Sequence, residues 1–363
     1  MYYLGFHADH HKKGYYVDCH ERGDVVFHRE EFLPVMLDYE TRSRHWTGQN
    51  MEIEHPPILR EGEKEIVFIT HDESIVYCND ATKIIWTMDD EAVLRPKSNG
   101  RSLHVSGFVC ACHGFGQTST KKSYKIITPG KNADGYWTNK DLIQQLEDEA
   151  FEVMEALHPN CELVFGFDNS ANHHAKAPDG LCAKSLNLSD GGKNCPQLRN
   201  STWNGETFYM QGNDFQGMLL ERAREILAAH DDFKNQRSWL REIVENRGHH
   251  IIFYPKFHCE LNFIEMVWGY TKRFLRRHCQ FSFTNLQIAL PNCLENMIPI
   301  AFFKRASRHC SRVMSAYREG LKGPLLDYAV KKYSSHRKIP AFVLSVLEKE
   351  YEAVRDTKYG KKK

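Results

Sequence analysis

The 363-residue sequence has no Cys-x-x-Cys pair, no apolar run approaching the about 18 residues a spanning helix needs, and a formal net charge of only +1. The missing cysteine spacing argues against a ribbon or finger zinc fold. The odd count of eleven cysteines, scattered from Cys19 to Cys310, argues equally against a disulfide framework. The N-terminus MYYLGFHADHHKKGYY lacks the basic-then-apolar layout of a secretory signal, so an intracellular protein without membrane contact is expected. Global basicity does not point to nucleic acid, and no internal repeat points to a solenoid. What is present is 41% hydrophobic and 12% aromatic content, enough for one large core with an appended or inserted unit. Charge is unevenly placed: from Met266 to Pro340 there are fourteen Lys and Arg against three acids, a net of +11. Such a run is either a set of solvated helix faces or a surface that tracks a phosphate backbone.

Three apolar runs lead into polar punctuation: Glu65 to Asp72, Leu163 to Asp168 and His250 to Pro255. Their length and β-branched or aromatic content favour buried strands. Partial alternation predicts two more strands, Ser74 to Trp86 and Leu103 to Cys112, around a turn at Pro96 to Gly100. Helical spacing of Leu142, Ile143, Leu146, Ala150, Met154 and Leu157, behind a Thr138-x-x-Asp141 cap, predicts a helix before the strand ending at Asp168. Further helices are expected over Phe215 to Ala229, Phe233 to Asn246, Phe263 to Arg277, Ile300 to Leu321 and Ala341 to Arg355, with Lys176 to Pro196 as loop and Lys358 to Lys363 as a disordered tail. The order fits an α/β domain: residues 1–60 lead in, 61–175 and 247–280 form the core, 176–246 are a mostly helical insertion, and 281–363 a helical basic region.

Asp72 and Asp168 each end a predicted strand, the edge where open α/β sheets bind ligands. Glu265 opens the helix after the next strand. Three such acids suit magnesium, and two ions about 3.5 to 4 Å apart would serve an in-line phosphodiester displacement. Each acid also has an ordinary explanation. Asp168-Asn169 reads as a turn, and Asn262-x-x-Glu265 as a capping box whose glutamate folds back on a backbone amide.

The flanking residues favour the site. His71-Asp72-Glu73-Ser74, Phe167-Asp168-Asn169-Ser-Ala-Asn-His173 and Pro255-Lys-Phe-His-Cys-Glu-Leu-Asn-Phe-Ile-Glu265-Met-Val-Trp268 resemble, in order, the three acidic motifs of mariner-like transposases of the DDE superfamily. Asn187 to Gly192 and Gly323 to Ala329 further resemble a fungal-type expanded branch of DDE endonucleases. The resemblance covers nearly the whole chain. It implies a ribonuclease H-like fold and a two-metal cut-and-paste mechanism using two Mg2+ or Mn2+ ions on Asp72, Asp168 and Glu265. It further implies double-stranded DNA as partner, a homodimer and a nuclear location.

There are departures from the pattern. Asp168 and Glu265 lie 97 residues apart, where relatives manage with a few tens. Cys259 and Phe263 replace two prolines of the third motif, and Glu260 replaces its aspartate, which makes Glu260 a rival carboxylate. Relatives carry a helix-turn-helix region before the catalytic domain, so truncation or relocated end recognition is expected here. A remnant that binds DNA without cutting, or a ribonuclease H-like nuclease or resolvase, would share the triad. Candidate DNA contacts are Asn169, His173, Lys272 and Arg276, the last two within about 20° of Glu265 on the helix, with Ile264, Trp268, Thr271 and Leu275 as its buried stripe. His173-His174, His249-His250 and His258-Cys259 match no zinc-site spacing, while Cys110-x-Cys112-His113 lies on a predicted strand, where alternate residues share a face, and metal binding there stays open.

Overall fold

A computed structural model describes residues 19–83, 94–185, 197–210, 220–340 and 344–360. Helix α1 (Gly23–Thr41) and a small hairpin of β1 (His45–Thr47) and β2 (Ile53–His55) lead into the central sheet. Its strands are β3 (Ile66–Tyr77), β4 (Ser102–Cys110), β5 (Gly114–Phe115) and β6 (Tyr124–Ile127). A helix follows, continuous from α2 (Asn139–Gln145) through a π turn to α3 (Phe151–Leu157), before β7 (Glu162–Phe167). Thr138 and Asp141 close the expected capping box at its start.

β3 to β4 to β6 run antiparallel, and β3 then pairs parallel with β7. The last strand, β10 (His250–Phe253), pairs parallel with β7. Three antiparallel strands, a crossover helix and two parallel strands, in the order β10-β7-β3-β4 with β5 and β6 along the far side of β4, are a ribonuclease H-like arrangement. The fold class is therefore α/β, as expected.

Between β7 and β10 lie the hairpin β8 (Ser201–Trp203) and β9 (Glu206–Phe208), then α4 (Leu220–Ala229), α5 (Asp231–Lys234) and α6 (Trp239–Asn246). The hairpin forms its own two-stranded sheet, and Leu181, Leu198, Ala223, Leu227 and Phe233 make a separate small core there. α6 is different. Its Leu240 and Val244 join the main core beneath β7 and β10, so the polypeptide rejoins the domain at Ser238, which caps α6, rather than at 246. β10 (His250–Phe253), α7 (Ile264–Arg277), α8 (Phe283–Asn292), α9 (Ile300–Arg318), α10 (Gly323–Lys332) and α11 (Leu344–Gly360) complete the chain.

The two-residue alternation of the strands sorts the core into layers. Val67, Ile69, Leu163, Phe165, Phe167, Ile251 and Phe253 meet α2, α3 and α6 on one face. Ile66, Val164, Ile252 and Tyr254 meet α1, α9 and α10 on the other. Towards β4, α7 and α8 take over that second face, with Ile264, Val267 and Trp268 against Val76, Leu103 and Val105.

Four expectations need correction. β3 runs unbroken through Asp72 to Tyr77, so Ser74 does not begin a separate strand, and the third antiparallel strand is the short β6. Residues 84–93, and with them the end of the run at Trp86, lie outside the described residues, as does the Asn187 to Gly192 segment. Helix continues to Gly360, so Lys358 is not in an irregular tail; only 361–363 fall outside. The basic excess is largely engaged within the fold. Arg312, 4% exposed, donates to the carbonyls of Val330, Ser334 and His336, while Arg318 pairs with Glu40 and Lys322 with Glu21.

Candidate active site

Asp72 and Asp168 are brought level by register. Thr70 pairs with Gly166, so each aspartate lies two residues beyond the last paired position on neighbouring parallel strands. By alternation both belong to the face covered by α1 and α7. Asp72 is therefore mid-strand in β3 but at the end of the parallel pairing, where β7 has stopped and only β4 continues alongside.

Glu265 arrives on the second residue of α7, and its placement is fixed by Asn262. Asn262 accepts a hydrogen bond from Thr70 and donates to the His71 carbonyl at 3.1 Å, which ties the entrance of α7 to β3. The capping residue is Phe263, with no side-chain cap, so the reciprocal capping box read at Asn262 is not formed. Ile264, Val267, Trp268, Thr271 and Leu275 are buried, which contains the whole predicted stripe and leaves Glu265 exposed to the cleft.

Asp72, Asp168 and Glu265 line one cleft of about 640 Å³ together with Asn169, Tyr254, Lys256, His258 and Asn262. Trp268 Nε1 donates to Asp72 Oδ2 at 3.1 Å. That indole needs Gly107, the antiparallel partner of Asp72: a Cβ at this position would meet the Phe115 ring at 2.6 Å and Trp268 at 3.4 Å. Burial first, then the charges of Glu265, Glu73 and Asp168, push the Asp72 carboxyl up to about 8. Burial and Asp168 also raise Glu265, against the pull of Lys272.

Asp168 behaves oppositely. Burial would raise it, but the His173 imidazole, bonded to its Oδ1, and the Ser170 amide at 3.3 Å outweigh that and hold it below the usual carboxylate range. The Ser170 bond is the turn read from the sequence, so Asp168 is at once a turn residue and a member of the cleft. For His173, desolvation is overcome by Asp168 and then Glu73, which lift the imidazole to about 10. The Glu73 contact, at 3.9 Å, is an ion pair rather than a hydrogen bond.

The four candidate DNA contacts separate. His173 is 1% exposed and bonded to Asp168, so its ring is held inside the fold. Arg276 is paired with Asp80 at 2.9 Å. Asn169 donates to His28 and accepts from His174. Lys272, whose charge acts on Glu265, stays beside the acids. Lys256, exposed on the cleft wall, is the second residue of the third motif but was not singled out in the sequence; its position just past the end of β10 was the available signal. Glu260 is not a rival: His258 and Tyr317 both donate to it, away from the triad.

Among the described residues, three sets of His, Cys, Asp or Glu place their ligating atoms within 4.8 Å of one another: Cys110, Cys112, His113 and His158; His20, His258 and Glu260; and His71, Glu73 and His173. The triad is not one of them. Its carboxylates face a shared cleft without closing to that mutual distance.

An α/β ribonuclease H-like domain with an acidic cleft at the end of its parallel strands is thus defined. No family model matches the chain, and no curated protein does. Similar solved structures include a Mos1 mariner paired-end complex with Mn, at TM-score 0.48 and 10% identity over 85% of this chain and 67% of that one. They also include a Mos1 transposase paired-end complex with the left transposon end (0.47, 10%, 92% and 68%) and a Mos1 strand transfer complex (0.45, 10%, 86% and 64%). At these identities the likeness is one of fold, and the chain spans about two thirds of the length of each.

Proposed function

We propose that this chain is the catalytic region of a mariner-like DDE transposase, which hydrolyses and rejoins phosphodiester bonds of double-stranded DNA with Mg2+ or Mn2+. The observation that carries the reading is the convergence of Asp72 and Asp168, level on adjacent parallel strands, with Glu265 on one cleft. The donor set fits a hard divalent cation. Two of the three carboxylates are raised by burial and mutual repulsion, a cost that a cation between them would offset. Asp72, Asp168 and Glu265 would hold it; when bound, such an ion polarises phosphate oxygens and makes water a nucleophile near neutral pH.

The chain's own residues supply the rest. Trp268 orients Asp72, and His173, charged across the neutral range, keeps Asp168 ionised and aimed. Asn262 holds α7 against β3 so that Glu265 stays at the cleft. Lys256 and Lys272 put positive charge beside the acids, where a phosphate backbone would enter. A homodimer on paired DNA ends and a nuclear location belong to the same reading.

A second reading, a remnant that binds DNA without cutting, would keep the same cleft. Nicking of a duplex DNA end by the purified protein separates the two. The transposase reading predicts magnesium-dependent nicking that Asp168→Asn abolishes, followed by joining of the freed end to a second duplex. Binding with no nicking at any magnesium or manganese concentration would establish the remnant. Nicking of branched or hybrid substrates alone would indicate a nuclease or resolvase.

A further inference from the structure

The edge of the sheet where the parallel strands begin carries a different set of donors. Cys110 ends β4, and the three-residue turn Ala111-Cys112-His113 leads into β5. Gly114 closes that turn at φ +67°, backbone that a side chain rarely adopts, and a Cβ there would also meet the Phe303 ring at 2.6 Å. His158 ends α3, just before β7 begins. The end of β4, the turn after it and the end of α3 thus deliver two thiols and two imidazoles to one point.

We propose that Cys110, Cys112, His113 and His158 form a structural zinc site. The distances are those of a tetrahedron around that ion. Zinc bonds of about 2.3 Å to sulfur and about 2.0 Å to nitrogen, at tetrahedral angles, set the sulfurs about 3.8 Å apart and each nitrogen about 3.5 Å from a sulfur. Cys110 and Cys112 Sγ are 3.6 Å apart, Cys110 Sγ is 3.8 Å from His113 Nδ1, and Cys112 Sγ is 3.7 Å from His158 Nε2. All four ligating atoms lie within 4.8 Å of one another. The His113 amide also points at Cys110 Sγ, at 3.3 Å, the kind of outer bond that orients a ligating sulfur.

The donor chemistry selects the ion. Two thiolates and two imidazoles suit zinc and disfavour magnesium, which takes oxygen. The site is closed by four protein ligands, so its role is structural: it ties the β4–β5 turn to the α3–β7 turn. Cys110 pairs with Ile69, three residues short of Asp72 on β3 or roughly 10 Å at about 3.3 Å per residue, and it packs on the opposite face of the sheet, so this ion would not share the acidic cleft.

The other two clusters lack this character. In His20, His258 and Glu260, the carboxylate already accepts from His258 and Tyr317, and the Arg29 guanidinium stands 3.3 Å from His258 Nε2, where a cation would be repelled. In His71, Glu73 and His173, a protonated His173 lies between Glu73 and Asp168. Spacing alone could not reveal the site, because His158 is 45 residues beyond His113.

The test is elemental analysis of the full chain, purified under reducing conditions with zinc and excess magnesium, together with cobalt substitution. The expected result is one zinc per chain, and a cobalt form showing thiolate charge-transfer absorption and intense tetrahedral visible bands. Cys112→Ser, His158→Gln and the exposed-site variant His113→Asn should each weaken zinc binding by about 100-fold or more, as even outer-shell losses cost 10- to 100-fold. Cys161→Ser and Asp168→Asn should retain zinc, which separates this claim from the reading of the carboxylates. Absence of stoichiometric zinc, or a cobalt spectrum without thiolate charge transfer, would overturn the proposal. So would zinc that survives Cys112→Ser but is lost in His258→Gln.

Discussion

At one end of the central sheet, oxygen donors from three elements face an open cleft; at the other, sulfur and nitrogen donors are folded into a turn. The three acids do not all close to within 4.8 Å of one another and two of them have raised pKa values, whereas the thiols and imidazoles already sit at near-ligating separations. The contrast follows what each end has to do. A structural ion is enclosed by four protein ligands, while a catalytic one needs positions left for water and substrate, and so a site that stays open until they arrive. Like charges held apart at one edge and soft donors held together at the other would let a single sheet sort two ions by chemistry.

The largest effect expected is on cleavage. Asp72→Asn and Asp168→Asn should each reduce magnesium-dependent nicking by roughly 10³ or more, since metal stabilisation of a transition state is worth several kcal/mol at about 1.4 kcal/mol per factor of ten. Chemical shift or calorimetric comparison should show both variants folded with zinc retained; loss of the fold in either would break the claim that the two edges are independent.

Gly107→Ala tests how the cleft is held. The added methyl meets Phe115 and Trp268, so a stability loss of about 1 to 3 kcal/mol in urea unfolding is expected, with weaker cleavage because the indole no longer fixes Asp72. Unchanged stability and activity would show that the indole bond does not position the acid.

The raised Asp72 makes a pH prediction. Its folded pKa of about 8 exceeds the ordinary carboxyl value of 3.8, so the metal-free fold binds a proton that the unfolded chain releases. The stabilisation linked to that proton is complete below about pH 4 and is lost as pH rises towards 8. With chelator present, the melting temperature of Asp72→Asn should therefore gain on the parent steadily from pH 5 to pH 8. A constant difference across that range would mean that Asp72 is not perturbed.

Smallest is the effect of the basic row on α7. Arg276 is paired with Asp80, and among the described residues Lys272 forms no ion pair, so Lys272→Ala should lower the salt dependence of DNA binding by about one charge and Arg276→Ala by less. Equal losses would show that the Asp80 pair opens on DNA.

Much of this was legible in the sequence, for identifiable reasons. The apolar runs ending in Phe167 and Phe253 are buried on both faces, so their strand character needed no partner to be seen. β3 was read as ending at Asp72 because the polar Asp72-Glu73-Ser74 stretch breaks the apolar run. In the fold, β4 continues alongside, and those polar residues face the cleft and the buried His71 and His173. β6 is only four residues long, and α1 carries Pro34 within it, so neither had a clear period. The net +11 of the C-terminal region decided nothing because charge counting cannot tell a guanidinium on solvent from Arg312 buried against three carbonyls. His173 was found by motif position, but only packing shows that it is bonded to Asp168.

Anomalous diffraction from crystals soaked in manganese tests the central claim most directly. The account predicts a manganese peak within bonding distance of both Asp72 and Asp168, absent in Asp168→Asn, and none at Cys110 or Cys112. A peak at His71, Glu73 and His173 instead, or no peak between the two aspartates at saturating manganese, would contradict it.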